Sequence, residues 1–128
     1  MSSIRLFCVP VFLIVALASG CATQQACHCD LIAAESECIQ FSASDNPLYT
    51  TQLQASCSSV LEGLCSTLGG TYTFGSPCPL TDAVAECDIT LATYSERDVF
   101  YSTGANPVTA GSTEPDEACS EQGVVTWY

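Results

Sequence analysis

Hydrophobic positions along this chain form one unbroken run and several interrupted ones. The unbroken run is "LFCVPVFLIVALA", Leu6 to Ala18, with "MSSIR" before it and the small residues "SG" after it. Its 13 residues fall short of the roughly 20 that a membrane-spanning helix needs, and Pro10 argues against a long structural helix. A positive start, a short apolar middle and a small-residue end predict a secretory signal peptide. The clearest periodic stretch is "SDNPLYTTQLQASCSSVLEGLCSTLGG". Here Leu53, Cys57, Val60, Leu61, Leu64, Cys65 and Leu68 recur at spacings of three and four, which predicts a helix with one apolar stripe. Ser44 or Asp45 is placed to cap it, Pro47 suits its first turn, and Gly69-Gly70 stops it.

The remaining patterns are shorter. "CHCDLIAA" reads as a strand start that puts Cys27 and Cys29 on one face and His28 on the other. "TYTFG" and "RDVFYS" read as strands, "SPCPL" as a turn, and "GVVTWY" as a final edge strand. "TDAVAECDITLATY" is ambiguous, with an acidic start that suits a short helix and a second half that suits a strand. The stretch 102–118 has Val108 as its one bulky apolar side chain and reads as a mobile acidic loop, long enough to be functional. The expected architecture is α+β: a small disulfide-rich domain over residues 23–128, with one central helix packed on a short antiparallel sheet.

Cysteine parity bears on where the signal peptide ends. Of ten cysteines, Cys8 lies in the apolar run and Cys21 just after it. Cleavage after Ala22 removes both and leaves an even set of eight. Cleavage after Gly20 or Ala18 leaves an odd thiol in an oxidising compartment. Parity therefore favours a signal peptide over residues 1–22. "LASGC" also loosely resembles the box of a bacterial lipoprotein, in which Cys21 would carry lipid and anchor the chain at a membrane surface. The other eight, Cys27, Cys29, Cys38, Cys57, Cys65, Cys78, Cys87 and Cys119, are expected to form four disulfides. Cys57 and Cys65 lie about 12 Å apart along a helix axis, too far to pair with each other. Cys27 and Cys29 are too close in sequence to pair without strain.

Charge narrows the partners. All 14 acidic residues follow the apolar run, whereas the two basic residues are Arg5 and Arg97 and the chain has no lysine. Such a chain is repelled by nucleic acid and by anionic membranes, so its partners are expected among neutral or basic molecules. Catalytic and metal chemistry find little support. "CHC" has the wrong spacing for a zinc pair, and oxidised cysteines do not ligate. His28 is the only histidine, so any Ser–His or Cys–His nucleophile system must use it. No phosphate-cradling loop or EF-hand is present, and neither cofactor nor metal is expected.

With "ACHCD" followed by "SCSSVLEGLCSTLGGTYTFGSPC", the chain resembles the small secreted cysteine-rich proteins of filamentous fungi over roughly Ala26 to Cys87. It departs from that pattern where adjacent cysteine doublets are common, since Cys65 and Cys87 stand alone. The resemblance implies secretion and, in plant-associated fungi, effectors that act on a host by binding; it carries no catalytic residues. The expected function is a secreted interaction protein whose target is an extracellular or host protein or a cell-wall component. The alternatives are a protease inhibitor presenting Arg97, Asp98, Phe100 and Tyr101 or the 102–113 stretch as an interaction loop, a lipoprotein anchored through Cys21, and a small hydrolase using His28.

Overall fold

A computed structural model of the chain describes residues 25–43, 46–120 and 122–128. The segment 1–22 read as a signal peptide, with Cys8 and Cys21, and the capping candidates Ser44 and Asp45 lie outside the described residues. The core is one six-stranded, wholly antiparallel sheet in the order β3-β1-β2-β5-β4-β6. Its strands are β1 (Gln25–Leu31), β2 (Glu37–Ala43), β3 (Thr71–Phe74), β4 (Ala83–Thr90), β5 (Ser95–Tyr101) and β6 (Gly123–Trp127). The α+β, disulfide-rich architecture read from the sequence is the one observed.

The main helix lies across one face of β1 and β2. It begins at α2 (Pro47–Ser56), passes through a π-helical turn at Cys57–Leu61, and ends as α3 (Glu62–Leu68). Its cap is Asn46, whose side-chain oxygen accepts a hydrogen bond from the Leu48 amide at 3.0 Å, in place of Ser44 or Asp45. Gly69, at φ 80°, closes it in the left-handed region that glycine tolerates. Leu53, Cys57, Leu61 and Cys65 point inward, four residues apart. A four-residue row drifts around an α-helix, because a turn takes about 3.6 residues. The wider π turn absorbs that drift, and it falls where the row must stay over β1. Val60, Leu64 and Leu68, expected in the buried stripe, are exposed. The two bridges Cys27–Cys57 and Cys29–Cys65 fix the helix's rotation, and that rotation turns the three outward.

The second half of the sheet has its own covers. "TDAVAECDITLATY" resolves as strand β4, because it finds a partner on each side, β5 and β6. Pairing along both edges outweighs the helical bias of its acidic start. The last part of the expected loop is instead a short helix, α4 (Glu114–Cys119), tied to β4 by Cys87–Cys119. Val108 is buried against Phe100, so the stretch before α4 is anchored at its middle. On the opposite face, Cys38–Cys78 and a 2.5 Å hydrogen bond from the Tyr101 hydroxyl to the Pro79 carbonyl hold residues 76–80 against the sheet.

The β1–β2 connection is the short helix α1 (Ile32–Glu35), closed by Ser36 at φ 62°. The Ser36 hydroxyl accepts from the Asn106 amide at 2.9 Å. Gly104, at φ 102°, lies so close to the Ile32 carbonyl oxygen that a Cβ there would overlap it. These contacts bring residues 104–108 against the end of β2.

Candidate functional site

Strand register sorts the acidic residues by face. In antiparallel pairing, directly opposed residues share a face. Glu37 opposes Phe100, Ile39 opposes Asp98, and Phe41 opposes Glu96. Glu37, Glu96 and Asp98 therefore project from the same face as the helices, in the gap between the cover over β1–β2 and the cover over β4–β6. Asp98 is only 8 % exposed, and its Oδ1 is fully buried with no hydrogen-bond partner among the described residues. Burial, and then the charges of Glu96 and Glu37, push its carboxyl up to about 8. Burial, with Glu35 and Glu96 nearby, raises Glu37 as well, and burial raises Glu96.

Beside this cluster is a cleft of about 280 Å³ lined by Glu35, Glu37, Phe100, Asn106, Val108 and Glu114. Three elements and one loop meet there: the end of α1, β2, β5 with its Phe100 ring, and the 106–114 stretch. A second depression, of about 450 Å³, runs between α2 and edge strand β3. Its lining of Thr51, Gln54, Ala55, Ser58, Tyr72 and Phe74 contains no charged side chain. The Thr51 and Ser58 hydroxyls donate to the Pro47 and Gln54 carbonyls, leaving their lone pairs for a ligand. The Gln54 side-chain amide makes no hydrogen bond within the described residues.

Residues singled out from the sequence are distributed differently from expectation. All eight remaining cysteines are paired, as Cys27–Cys57, Cys29–Cys65, Cys38–Cys78 and Cys87–Cys119. Arg97, Asp98, Phe100 and Tyr101 form no loop; they belong to β5, which pairs with β2 on one side and β4 on the other. Strand alternation sends Arg97 and Tyr101 to one face and Asp98 and Phe100 to the other, so the four present no common surface. Arg97 Nε meets Asp88 Oδ1 at 2.7 Å and Glu86 Oε2 at 3.1 Å. The hydrogen bond to Asp88 raises the Arg97 guanidinium further. Burial works to raise Asp88, but hydrogen bonds with Glu86 and Arg97 hold it below the ordinary range. The Tyr128 hydroxyl donates to Glu86 and completes the cluster. His28 is buried, and its Nδ1 lies 2.8 Å from the Ser76 carbonyl oxygen.

Glu37 and Glu96 drew no attention in the sequence. Their signal is the period-two pattern itself: Glu37, Ile39 and Phe41 share a face, as do Glu96, Asp98 and Phe100. A carboxylate at the inward position of a strand marks a site that packing alone does not explain. Among the described residues, no group of three or more ligand-type side chains could hold a metal ion, and no helix is long and apolar enough to cross a membrane. No protein-family model matches the chain, no curated protein matches it in sequence, and no solved structure matches it in fold.

Proposed function

We propose that this is a secreted, disulfide-stabilised interaction protein, effector-like in action, that works by binding a neutral glycan of an extracellular or host cell wall. The observation that carries this reading is the groove between α2 and β3. Two aromatic side chains, Tyr72 and Phe74, stand two residues apart on one strand and so share a face. Opposite them are an unpaired amide and two hydroxyl oxygens, with no charge in the lining. Aromatic faces pack against the C–H surface of a sugar ring, and amides and hydroxyls match its hydroxyl groups. The walls are pre-organised, since Cys27–Cys57 and Cys29–Cys65 bolt the helix to β1, beside β3. A rigid site loses less entropy on binding.

Secretion through a signal peptide ending at Ala22 accords with four disulfides, which form and persist outside the reducing cytosol. Binding without catalysis accords with the position of His28, whose Nδ1 is engaged by a backbone carbonyl. A protease-inhibitor role through Arg97 draws no support, because a paired central strand cannot enter a protease cleft. The test is retention on insoluble cell-wall polysaccharides, comparing the secreted protein with Phe74→Ala and Tyr72→Ala. Phe74 is exposed, so its loss leaves the core intact. Retention of the parent and loss of about tenfold in affinity for Phe74→Ala are expected, in line with one lost aromatic contact. Failure of the parent to bind any wall fraction, or equal binding by both variants, refutes the reading.

A further inference from the structure

We infer that the ligand of the α2–β3 groove is a linear, neutral oligosaccharide that continues past the first turns of α2 into a second depression on the helix's other flank. The inference rests on the glycan reading above and specifies the length and path of the chain that binds. Three observations carry it.

The first is the second depression itself. It has a volume of about 270 Å³ and lies where the end of β2, Tyr49 of α2 and the turn between β4 and β5 meet. Its lining repeats the chemistry of the groove. Tyr49 and Tyr94 supply rings, Leu91 an apolar side chain, Thr93 and Ser95 hydroxyls, and no lining residue is charged. The Tyr49 and Tyr94 hydroxyls make no hydrogen bond within the described residues, so each can donate to or accept from a sugar hydroxyl. The walls are fixed in place. Tyr94 packs on the buried ring of Phe41 with centroids 4.9 Å apart, and the Leu91 amide donates to the Tyr94 carbonyl at 2.9 Å.

The second observation is register. Phe74 opposes Cys27 on β1, and Cys27 opposes Phe41 on β2. Phe74 and Phe41 therefore lie in one row across the face that the main helix covers, and Tyr94 stands against the far end of that row. From β3 to β5 the sheet order gives three strand spacings, about 14 Å. That is too wide for one sugar ring and suits a chain of several. The third is what lies between. Residues 46–55, the start of α2, carry no charged side chain, and Tyr49, Thr51, Gln52 and Gln54 are exposed. The chain has 14 acidic residues and a net charge of −12, yet none of those residues lines either depression. An acidic polysaccharide would be repelled by the rest of the surface, whereas a neutral one meets rings, amides and hydroxyls along the whole path. Filling the second depression with the same chain is an intramolecular step, so affinity rises without a new binding event.

The test is isothermal titration of the oxidised secreted protein, with 15N NMR on the same samples. The probes are β-1,4-linked oligomers of glucose and of N-acetylglucosamine, each of two and six units. In at least one series the six-unit probe should bind about tenfold or more tightly than the two-unit probe. Both lengths should shift the amides of Thr51, Ser58 and Tyr72, and only the longer should also shift those of Tyr49, Leu91 and Ser95. A longer chain gains somewhat on a single site merely by offering more rings, so the variants decide. Tyr49→Ala and Leu91→Ala should each weaken six-unit binding by about tenfold and leave two-unit binding unchanged; Phe74→Ala should weaken both. Tyr49 and Leu91 are exposed, and unchanged two-unit binding shows that the variants fold. A parent that binds no oligomer and no wall fraction refutes the glycan reading and this inference with it. The inference alone is overturned if the parent holds to a wall fraction but to neither oligomer length, or if the two lengths bind equally. It is likewise overturned if Phe74→Ala weakens six-unit binding while Tyr49→Ala and Leu91→Ala do not.

Discussion

At the scale of single residues, the most informative group is Asp98. Its carboxyl ionises at about 8 in the folded protein, against an ordinary value of 3.8. Between those values the native state keeps a proton that the unfolded chain has released. Each upward step in pH through this window therefore subtracts stability. Below the ordinary value there is no penalty, and above about 8 the penalty is complete. Glu37 and Glu96 are also raised and add to the same slope. The expected size is a few kcal/mol across the window, so the oxidised protein should melt at a clearly higher temperature at pH 5 than at pH 8. Asp98→Asn should raise the melting temperature at pH 8 and remove much of the difference. Parallel pH profiles for the two proteins would show that Asp98 is not the group responsible.

Secondary-structure elements show where local sequence decides and where partners do. Asn46 is a local decision: its side chain satisfies the Leu48 amide, and Pro47 follows at the first helical position. Asn46→Ala should cost about 1 kcal/mol in chemical denaturation; no change would mean that another residue caps α2. The helix over 47–68 and strands β3, β5 and β6 were legible, because Pro47, Gly69 and the runs "TYTFG", "RDVFYS" and "GVVTWY" carry their own signals. Less was legible elsewhere. β2 has only a short alternation to show, Ile39, Phe41 and Ala43 against Gln40 and Ser42, and the sheet buries its polar side as well as its apolar one. β4 takes its state from β5 and β6. In α4 the acidic first turn and the proline were present, but no apolar stripe was, because the buried contacts of that helix are Pro115 and Cys119. The acidic cleft was invisible for a related reason. Its lining comes from α1, β2, β5 and the approach to α4, and no local spacing links Glu37 with Phe100 or Glu114.

The whole molecule is a sheet clamped from both sides. Two bridges hold the main helix to β1, one holds residues 76–80 to β2 on the opposite face, and one holds α4 to β4. They span sequence separations of 30, 36, 40 and 32 residues. In the chain-entropy model each loop of that length contributes about 3–4 kcal/mol, so together they rival the roughly 5–15 kcal/mol stability of a small domain. That has a consequence for proteolysis. The chain has no lysine, and Arg97 is its one tryptic site beyond Arg5. Arg97 sits mid-strand in β5, hydrogen-bonded along both edges by β2 and β4. Trypsin needs an extended segment free of its neighbours, and freeing β5 means opening the centre of the sheet. The oxidised protein should therefore survive prolonged trypsin treatment. Once reduced, it should give two fragments, one ending at Arg97 and the other running from Asp98 to Tyr128. Intact mass before reduction should start at Thr23, and reduction should add about eight hydrogens for four bridges. Rapid cleavage of the oxidised form would show that β5 opens without the bridges breaking. A mass that begins at a lipidated Cys21 would put the same clamped sheet on a membrane anchor, where its binding surfaces would face a fixed neighbourhood and not a diffusing target.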